Sequence, residues 1–271
     1  MATVRTALIQ LPVTADKAAN LRAAVQRVAA CARQGAQIVA LPEMFTCPYL
    51  AANFPRYAEP QGGPAWSALA EAARANRVVL VGGSMPEVDE GGRVYNTCYI
   101  FDPAGRQIGR HRKVHMFDID VAGGQRFRES ETLTPGSSWT VVQTEYATLG
   151  VAVCYDLRFP ELARRMALDG AQIFVIPGAF NMTTGPAHWE VLFRARAVDN
   201  QVFTLGCAPA RDEAGPYVSY GNSLAVSPWG ALLGRLGAGE GLLFADLDLA
   251  QLAKVRAELP LLKQRRTDLY G

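Results

Sequence analysis

No charge of either sign dominates this 271-residue chain: 27 Lys and Arg stand against 25 Asp and Glu, and charged residues make up only 19% of it. Such a balance leaves no electrostatic footprint for nucleic acid, whose binding rests on neutralising phosphates. The basic cluster Lys263-Gln264-Arg265-Arg266 has leucines beside it and no aromatic ladder, so it reads as a solvated or interface segment. Histidine is scarce, with His111, His115 and His188 alone and no H-x-x-H or H-E-x-x-H spacing, and the five cysteines contain no C-x-x-C pair. Neither a zinc centre nor a disulfide scaffold is expected, and no metal or cofactor is called for. No run approaches the roughly eighteen apolar residues of a membrane span, so no membrane association is expected. The amino terminus carries Arg5 where a secretory signal would need a continuous apolar core. The expected compartment is the cytoplasm, where thiols stay reduced. A fixed-period repeat, a low-complexity tract, a G-x-S-x-G elbow and a Walker loop are all missing. Residues 1–271 are therefore expected to form a single domain.

What is present is a long alternation of short apolar runs with amphipathic ones. Thr3–Gln10 reads as a strand, 16–33 as a helix with Leu21, Val25, Val28 and Ala29 on one face, and Ile38 to Glu43 as the next strand. The pattern repeats through a helix over 64–76 and a strand at 78–83, then a hairpin, 94–101 with 107–109, around Asp102-Pro103-Ala104-Gly105. After an apolar run ending at Val153 come helices over 160–168 and 188–200, and strands at 173–176, 202–207, 223–226 and 242–245. A last helix over 249–259 is stopped by Pro260. Alternation of this kind predicts an α/β fold with sheets covered by helices.

Three residues stand where predicted strands give out. Cys154 ends Leu149-Gly150-Val151-Ala152-Val153 and precedes Tyr155-Asp156-Leu157-Arg158-Phe159-Pro160-Glu161; Glu43 ends Ile38-Val39-Ala40-Leu41-Pro42; Lys113 lies in His111-Arg112-Lys113-Val114-His115. The carboxyl edge of a sheet is where α/β enzymes keep reactive groups. In these contexts and this order, Glu43, Lys113 and Cys154 resemble the Glu-Lys-Cys set of the nitrilase superfamily of carbon-nitrogen hydrolases. The resemblance runs from Ala7 to Tyr270, essentially the whole chain, and it implies a four-layer α-β-β-α sandwich. Pro177 to Glu190, continuing over Arg194 to Gln201, is similar to the ω-amidase branch. Tyr155-Asp156 follows the cysteine where true nitrilases carry Trp-Glu, which favours an amide over a nitrile.

The chemistry asks for these residue types. An amide has a poor leaving group and a weakly electrophilic carbonyl, so hydrolysis needs a nucleophile, charge stabilisation and a proton for nitrogen. Cys154 is expected to attack as a thiolate favoured by Lys113, which would also face the oxyanion with the backbone N–H of Tyr155; Glu43 would move the protons. Glu129, in Phe127-Arg128-Glu129-Ser130, matches the family's second glutamate, which positions the substrate or Lys113; a salt bridge to a neighbouring arginine is the alternative. Gly123-Gly124-Gln125-Arg126 reads as a pocket rim. For a substrate carboxylate the candidate is Arg158, unless it pairs with Asp156 or Glu161. Phe180, Asn181, Thr184 and Tyr49 complete the candidate pocket.

The resemblance implies a cofactor-free ω-amidase taking short 2-oxo dicarboxylate monoamides, such as 2-oxoglutaramate and 2-oxosuccinamate, through a cysteine thioester. Deaminated glutathione amidase, nitrile hydrolase and a catalytically silent binding protein of the same fold are the other readings. Asn222 departs from the histidine that many relatives carry. The family pairs subunits through the helices after Cys154 and around 188–200. The apolar tail Leu259-Pro260-Leu261-Leu262 also asks for cover, so a homodimer or higher homo-oligomer is expected.

Overall fold

The computed structural model describes residues 3–270. Along the chain the strands are β1 (Thr3–Gln10), β2 (Ile38–Ala40), β3 (Val79–Val81), β4 (Met85–Val88), β5 (Val94–Phe101), β6 (Gln107–Arg112), β7 (Asp118–Asp120) and β8 (Arg126–Arg128), followed by β9 (Thr140–Gln143), β10 (Thr148–Val151), β11 (Ile173–Pro177), β12 (Phe203–Cys207), β13 (Leu224–Val226), β14 (Leu232–Arg235) and β15 (Gly241–Asp248). The helices are α1 (Lys17–Arg33), α2 (Phe54–Tyr57), α3 (Pro64–Asn76), α4 (Pro160–Leu168), α5 (Gly185–Asn200), α6 (Leu249–Glu258) and α7 (Thr267–Tyr270).

Two sheets form. The first runs β15-β1-β2-β3-β5-β4, with β6 also on β5, and the second runs β14-β13-β12-β11-β10-β9. In each, three central strands are parallel, β1-β2-β3 in one and β10-β11-β12 in the other, and the flanking pairs are antiparallel. Strand periodicity of two then sorts side chains between layers. Val4, Leu8, Ile38, Ala40, Val79, Val81, Cys98 and Ile100 join the cluster shared with the second sheet. Their neighbours Ala7, Ile9, Val39, Leu80, Tyr99 and Phe101 pack instead with α1 and α3, through Ala24, Val28, Leu69 and Ala73. On the far side, Leu162 and Met166 of α4 and Trp189, Phe193 and Ala197 of α5 cover the second sheet. The result is the four-layer α-β-β-α sandwich.

Several boundaries differ from the sequence reading. β2 stops at Ala40, and Glu43 lies in the turn beyond it. β6 continues to Arg112, because Arg110 and His111 find register partners in Tyr99 and Cys98, so Lys113 follows the strand directly. The strands β4, β7, β8, β9 and β14 were not expected: Met85-Pro86-Glu87-Val88 contains proline, and Asp118-Ile119-Asp120 and Arg126-Phe127-Arg128 are mostly charged. α5 starts three residues early, at Gly185, with Pro186 in its first turn.

Candidate active site

Glu43 reaches its position through a tight crossing. Gly83 has φ +63°, and a Cβ there would lie 2.3 Å from the Pro42 carbonyl oxygen and 2.9 Å from Leu41 Cβ, so only glycine lets the two turns meet. Met44, just past the carboxylate, is itself left-handed at φ 49°, and its N–H donates to Ser84 Oγ at 3.0 Å. Gly83→Ala is expected to lower stability by about 1–3 kcal/mol through clash and strain, with activity falling as Glu43 shifts; urea unfolding and initial rates check this.

The sequence-predicted groups converge. Glu43 Oε1 accepts from Asn96 Nδ2 at 2.8 Å and from Lys113 Nζ at 3.2 Å, and Oε2 accepts from the Ala179 N–H at 2.7 Å. Lys113 Nζ also lies 2.9 Å from Glu129 Oε1 and 2.8 Å from Oε2. Glu129 Oε2 takes the Phe117 N–H at 2.7 Å, and Tyr49 donates its hydroxyl to Glu129 Oε1 at 2.6 Å while lying 3.3 Å from Glu43 Oε1. Glu129 makes no ion pair with an arginine among the described residues; its cation is Lys113, the residue that the first reading has it position. All three charged side chains are fully buried.

Cys154 opens a 3₁₀ turn over Cys154–Arg158 and carries φ 49°, a left-handed conformation that an L side chain adopts only when its surroundings impose it. Directly beneath, a Cβ on Gly178 would come within 3.4 Å of Cys154 Cα and 3.1 Å of the Trp189 ring. The Tyr155 N–H sits in the first turn of this segment, where helix geometry supplies no carbonyl.

The electrostatics follow from burial and from which charges touch. Burial, and then the Glu43 carboxylate bonded to it, push the Cys154 thiol well above the ordinary range, and Lys113 offsets this only in part. Burial works against the Lys113 ammonium, yet Glu129 and Glu43 outweigh it and hold its pKa above the usual lysine value. Glu129 is raised by burial and by Glu43, against the pull of Lys113. The lysine charge is committed to two carboxylates, and its pull on the thiol does not outweigh burial and Glu43.

Arg158 pairs with neither Asp156 nor Glu161. Its Nη1 lies 3.1 Å from His188 Nδ1, its guanidinium stands 4.8 Å from the Phe180 ring centre and 5.5 Å from that of Tyr155, and burial lowers its pKa. Asn181 and Thr184 bond each other at the start of α5, Asn181 Oδ1 accepting from the Thr184 N–H at 2.9 Å and hydroxyl at 3.1 Å, while Asn181 Nδ2 donates to Gln125 on the rim. A cavity of about 60 Å³ is lined by Glu43, Met44, Tyr49, Ala179, Asp212 and Tyr217 among others; Arg158, Phe180, Asn181 and Thr184 do not border it. Asn222 is left-handed, and its carbonyl accepts from Trp189 Nε1 at 2.8 Å.

Sequence reasoning missed Asn96, the Ala179 N–H and Tyr217. Asn96 lies mid-strand in β5, where nothing but the inward register marks it, and its main-chain carbonyl also accepts the Lys113 N–H at 2.8 Å. Tyr217 stacks over Tyr49 with ring centres 4.6 Å apart and donates its hydroxyl to the Ala179 carbonyl. Its loop has no periodic pattern to read.

A fold of two stacked sheets with a buried thiol, ammonium and carboxylates at their strand ends defines a class, and the comparisons agree: the chain belongs to the carbon-nitrogen hydrolase family, whose profile matches residues 5–257. Among curated relatives, it is 50% identical over 270 residues to omega-amidase NIT2 of Mus musculus and 47% identical over 271 residues to that of Homo sapiens, covering 100% of this chain and 98% of the relative in both cases. Among solved structures, Saccharomyces cerevisiae Nit3, a member of branch 10 of the nitrilase superfamily, superposes with a TM-score of 0.90 at 40% identity over 97% of each chain. An amidase from Nesterenkonia sp. AN1 superposes at 0.82 with 30% identity, over 98% of this chain and 95% of that one. A glutamate-to-glutamine mutant of that amidase shows covalent addition of the acetamide moiety of fluoroacetamide at its active site cysteine.

Proposed function

We propose that residues 1–271 act as one carbon-nitrogen hydrolase domain and that the protein is an ω-amidase, hydrolysing the terminal amide of short 2-oxo dicarboxylate monoamides such as 2-oxoglutaramate and 2-oxosuccinamate. Identity of about half over the full length to omega-amidases supports the activity. The observation that carries the substrate side is Arg158: a half-buried guanidinium close to the thiol with no carboxylate partner among the described residues. A planar fork without a carboxylate of its own in such a place suits the carboxylate at the far end of a small amide.

In this reading Cys154 Sγ attacks the amide carbon as Glu43 takes the thiol proton, which the raised thiol pKa requires. Lys113 and the Tyr155 N–H face the oxyanion that develops. Collapse of the tetrahedral adduct breaks the carbon–nitrogen bond, Glu43 returns the proton to nitrogen, and ammonia leaves a thioester. Water, deprotonated by Glu43, then attacks the thioester, releasing the dicarboxylate and the thiol. Glu129 and Asn96 hold Lys113 and Glu43 in place throughout.

Ammonia release measured with 2-oxoglutaramate and with deaminated glutathione tests the reading. A higher kcat/KM for 2-oxoglutaramate is expected, none of it surviving in Cys154→Ala; preference for the glutathione derivative would overturn the assignment. Arg158→Met should raise KM by roughly tenfold to a hundredfold, the loss of one charged hydrogen-bonded pair, with kcat less affected. An unchanged KM would mean that Arg158 does not hold the substrate carboxylate.

The assembly belongs to the same proposal. Val191, Val198 and Trp229 lie exposed along α5 and the turn beside it, 56%, 42% and 65% accessible, a face suited to a second copy of this chain. Light scattering should give a dimer or larger. Among the described residues no helix is long and apolar enough to cross a membrane. Five free cysteines fit the reducing cytoplasm proposed as its compartment.

A further inference from the structure

Asp156 is fully buried two residues past the thiol, and five donors converge on its carboxylate. Oδ2 accepts the Val153 N–H at 3.0 Å and faces His111 Nε2 at 2.9 Å. Oδ1 accepts the N–H groups of Val114 at 3.2 Å and His115 at 2.9 Å, and faces His115 Nδ1 at 2.8 Å. An ionised carboxylate offers about four lone-pair sites, so both oxygens are saturated. Burial alone would raise such an acid, but the two imidazoles and the Val153 amide hold it far below the usual carboxylate range.

The two oxygens grip different parts of the site. Oδ2 closes the backbone around the nucleophile: with the Asp156 N–H donating to the Val153 carbonyl at 3.1 Å, residues 153 and 156 are tied twice, and Cys154 is held between them at φ 49°. Oδ1 grips the two residues that follow Lys113, a segment 41 and 42 positions away in sequence. Behind them His111 Nδ1 lies 3.1 Å from Thr140 Oγ1, whose hydroxyl donates to the Arg110 carbonyl at 3.2 Å, so β6 and β9 are drawn into the same network. One side chain thus fixes both the strained thiol turn and the origin of the lysine.

We propose that Asp156 is a positioning residue for the reaction, holding the Cys154 turn and the Lys113 segment in a single register so that nucleophile and oxyanion donor meet the same carbonyl. The inference rests on the roles given above to Cys154 and Lys113. Displacing either group by an ångström is enough to cost about a hundredfold in rate without altering the pocket that binds substrate.

The test compares Asp156→Asn, His115→Gln and His115→Leu with the unaltered enzyme, reading kcat, KM and thermal unfolding with 2-oxoglutaramate. Asp156→Asn keeps the shape but sets an amide N–H against donors on one side; kcat per folded molecule should fall about a hundredfold while KM stays within about threefold. A folded Asp156→Asn enzyme with near-normal kcat, or one whose loss lies in KM, would refute the idea. Should that variant not fold, the His115 pair decides, since this side chain is partly exposed. Gln retains a donor toward Oδ1 and should stay near the unaltered rate, whereas Leu should lose kcat by roughly threefold to tenfold at constant KM, as for one lost charge-assisted hydrogen bond. Equal rates for Gln and Leu would refute it. Turnover surviving in Cys154→Ala would instead sink the functional reading itself, so the two failures are distinguishable.

Discussion

Glu43→Gln is expected to stop turnover while making the thiol more reactive toward iodoacetamide. The two effects have opposite signs because Glu43 is the proposed base and is also a negative charge bonded to the sulfur. Loss of the base should lower kcat by about 10²–10⁴-fold. Burial is the first cause of the raised thiol pKa and Glu43 the second, so a neutral amide lets the pKa fall; each unit multiplies the thiolate fraction roughly tenfold at a fixed pH below the pKa. The comparison is made at pH 7 to 8, with intact mass locating the label on Cys154. Slower alkylation in Glu43→Gln would contradict the account, for it would mean that the carboxylate favours the anion.

Lys113→Met should be the most damaging single change to stability at the site. It leaves Glu43 and Glu129 facing each other in a place closed to water, and removing one partner of a buried ion pair costs about 3–5 kcal/mol. Activity should be lost by at least about a hundredfold with the oxyanion donor. The pH dependence has a definite sign. Glu129 is already raised in the folded protein, and without the cation it rises further. A carboxyl whose pKa is higher folded than unfolded stabilises the fold at low pH, and that contribution fades as pH climbs through the folded value. Lys113→Met should therefore gain stability, relative to the unaltered protein, as pH drops from 7 toward 5. Adding Glu129→Gln should recover much of the stability and none of the activity. If chemical unfolding shows the single variant no weaker than the parent, the buried triad is not held by its charges.

Much of the fold could be read because the core strands obey a period of two: Val4, Leu8, Ile38 and Ala40 face one way, and Ala7, Ile9 and Val39 the other. Glu43, Lys113 and Cys154 were legible for the related reason that each follows within three residues of a strand's end. Asp156 was not. In sequence it is an acid near a helix start, and its partners His111, Val114 and His115 are 41 to 45 positions away, beyond any local pattern. The His111 and His115 pair, four apart, was a signal that could have been followed. The amide that orients Glu43, at Ala179, is 136 positions distant and carries no side-chain clue at all. The thiol's pKa was not legible because sequence shows a lysine and two glutamates but not which of them the lysine touches, nor how deeply the sulfur is buried. Strands of only three residues, such as β7 and β8, are made by pairing and are too short for a period to be read.

The raised pKa and burial of Cys154 also bear on its survival. Peroxide attacks thiolates that solvent can reach, converting them to sulfenic acid, and the surroundings of this sulfur disfavour both conditions. A thiol that burial and Glu43 hold above its ordinary pKa has little opportunity for side reactions between turnovers. The arrangement that disfavours ionisation thereby shields the sulfur from oxidants, and the Glu43→Gln enzyme should lose that protection along with its activity.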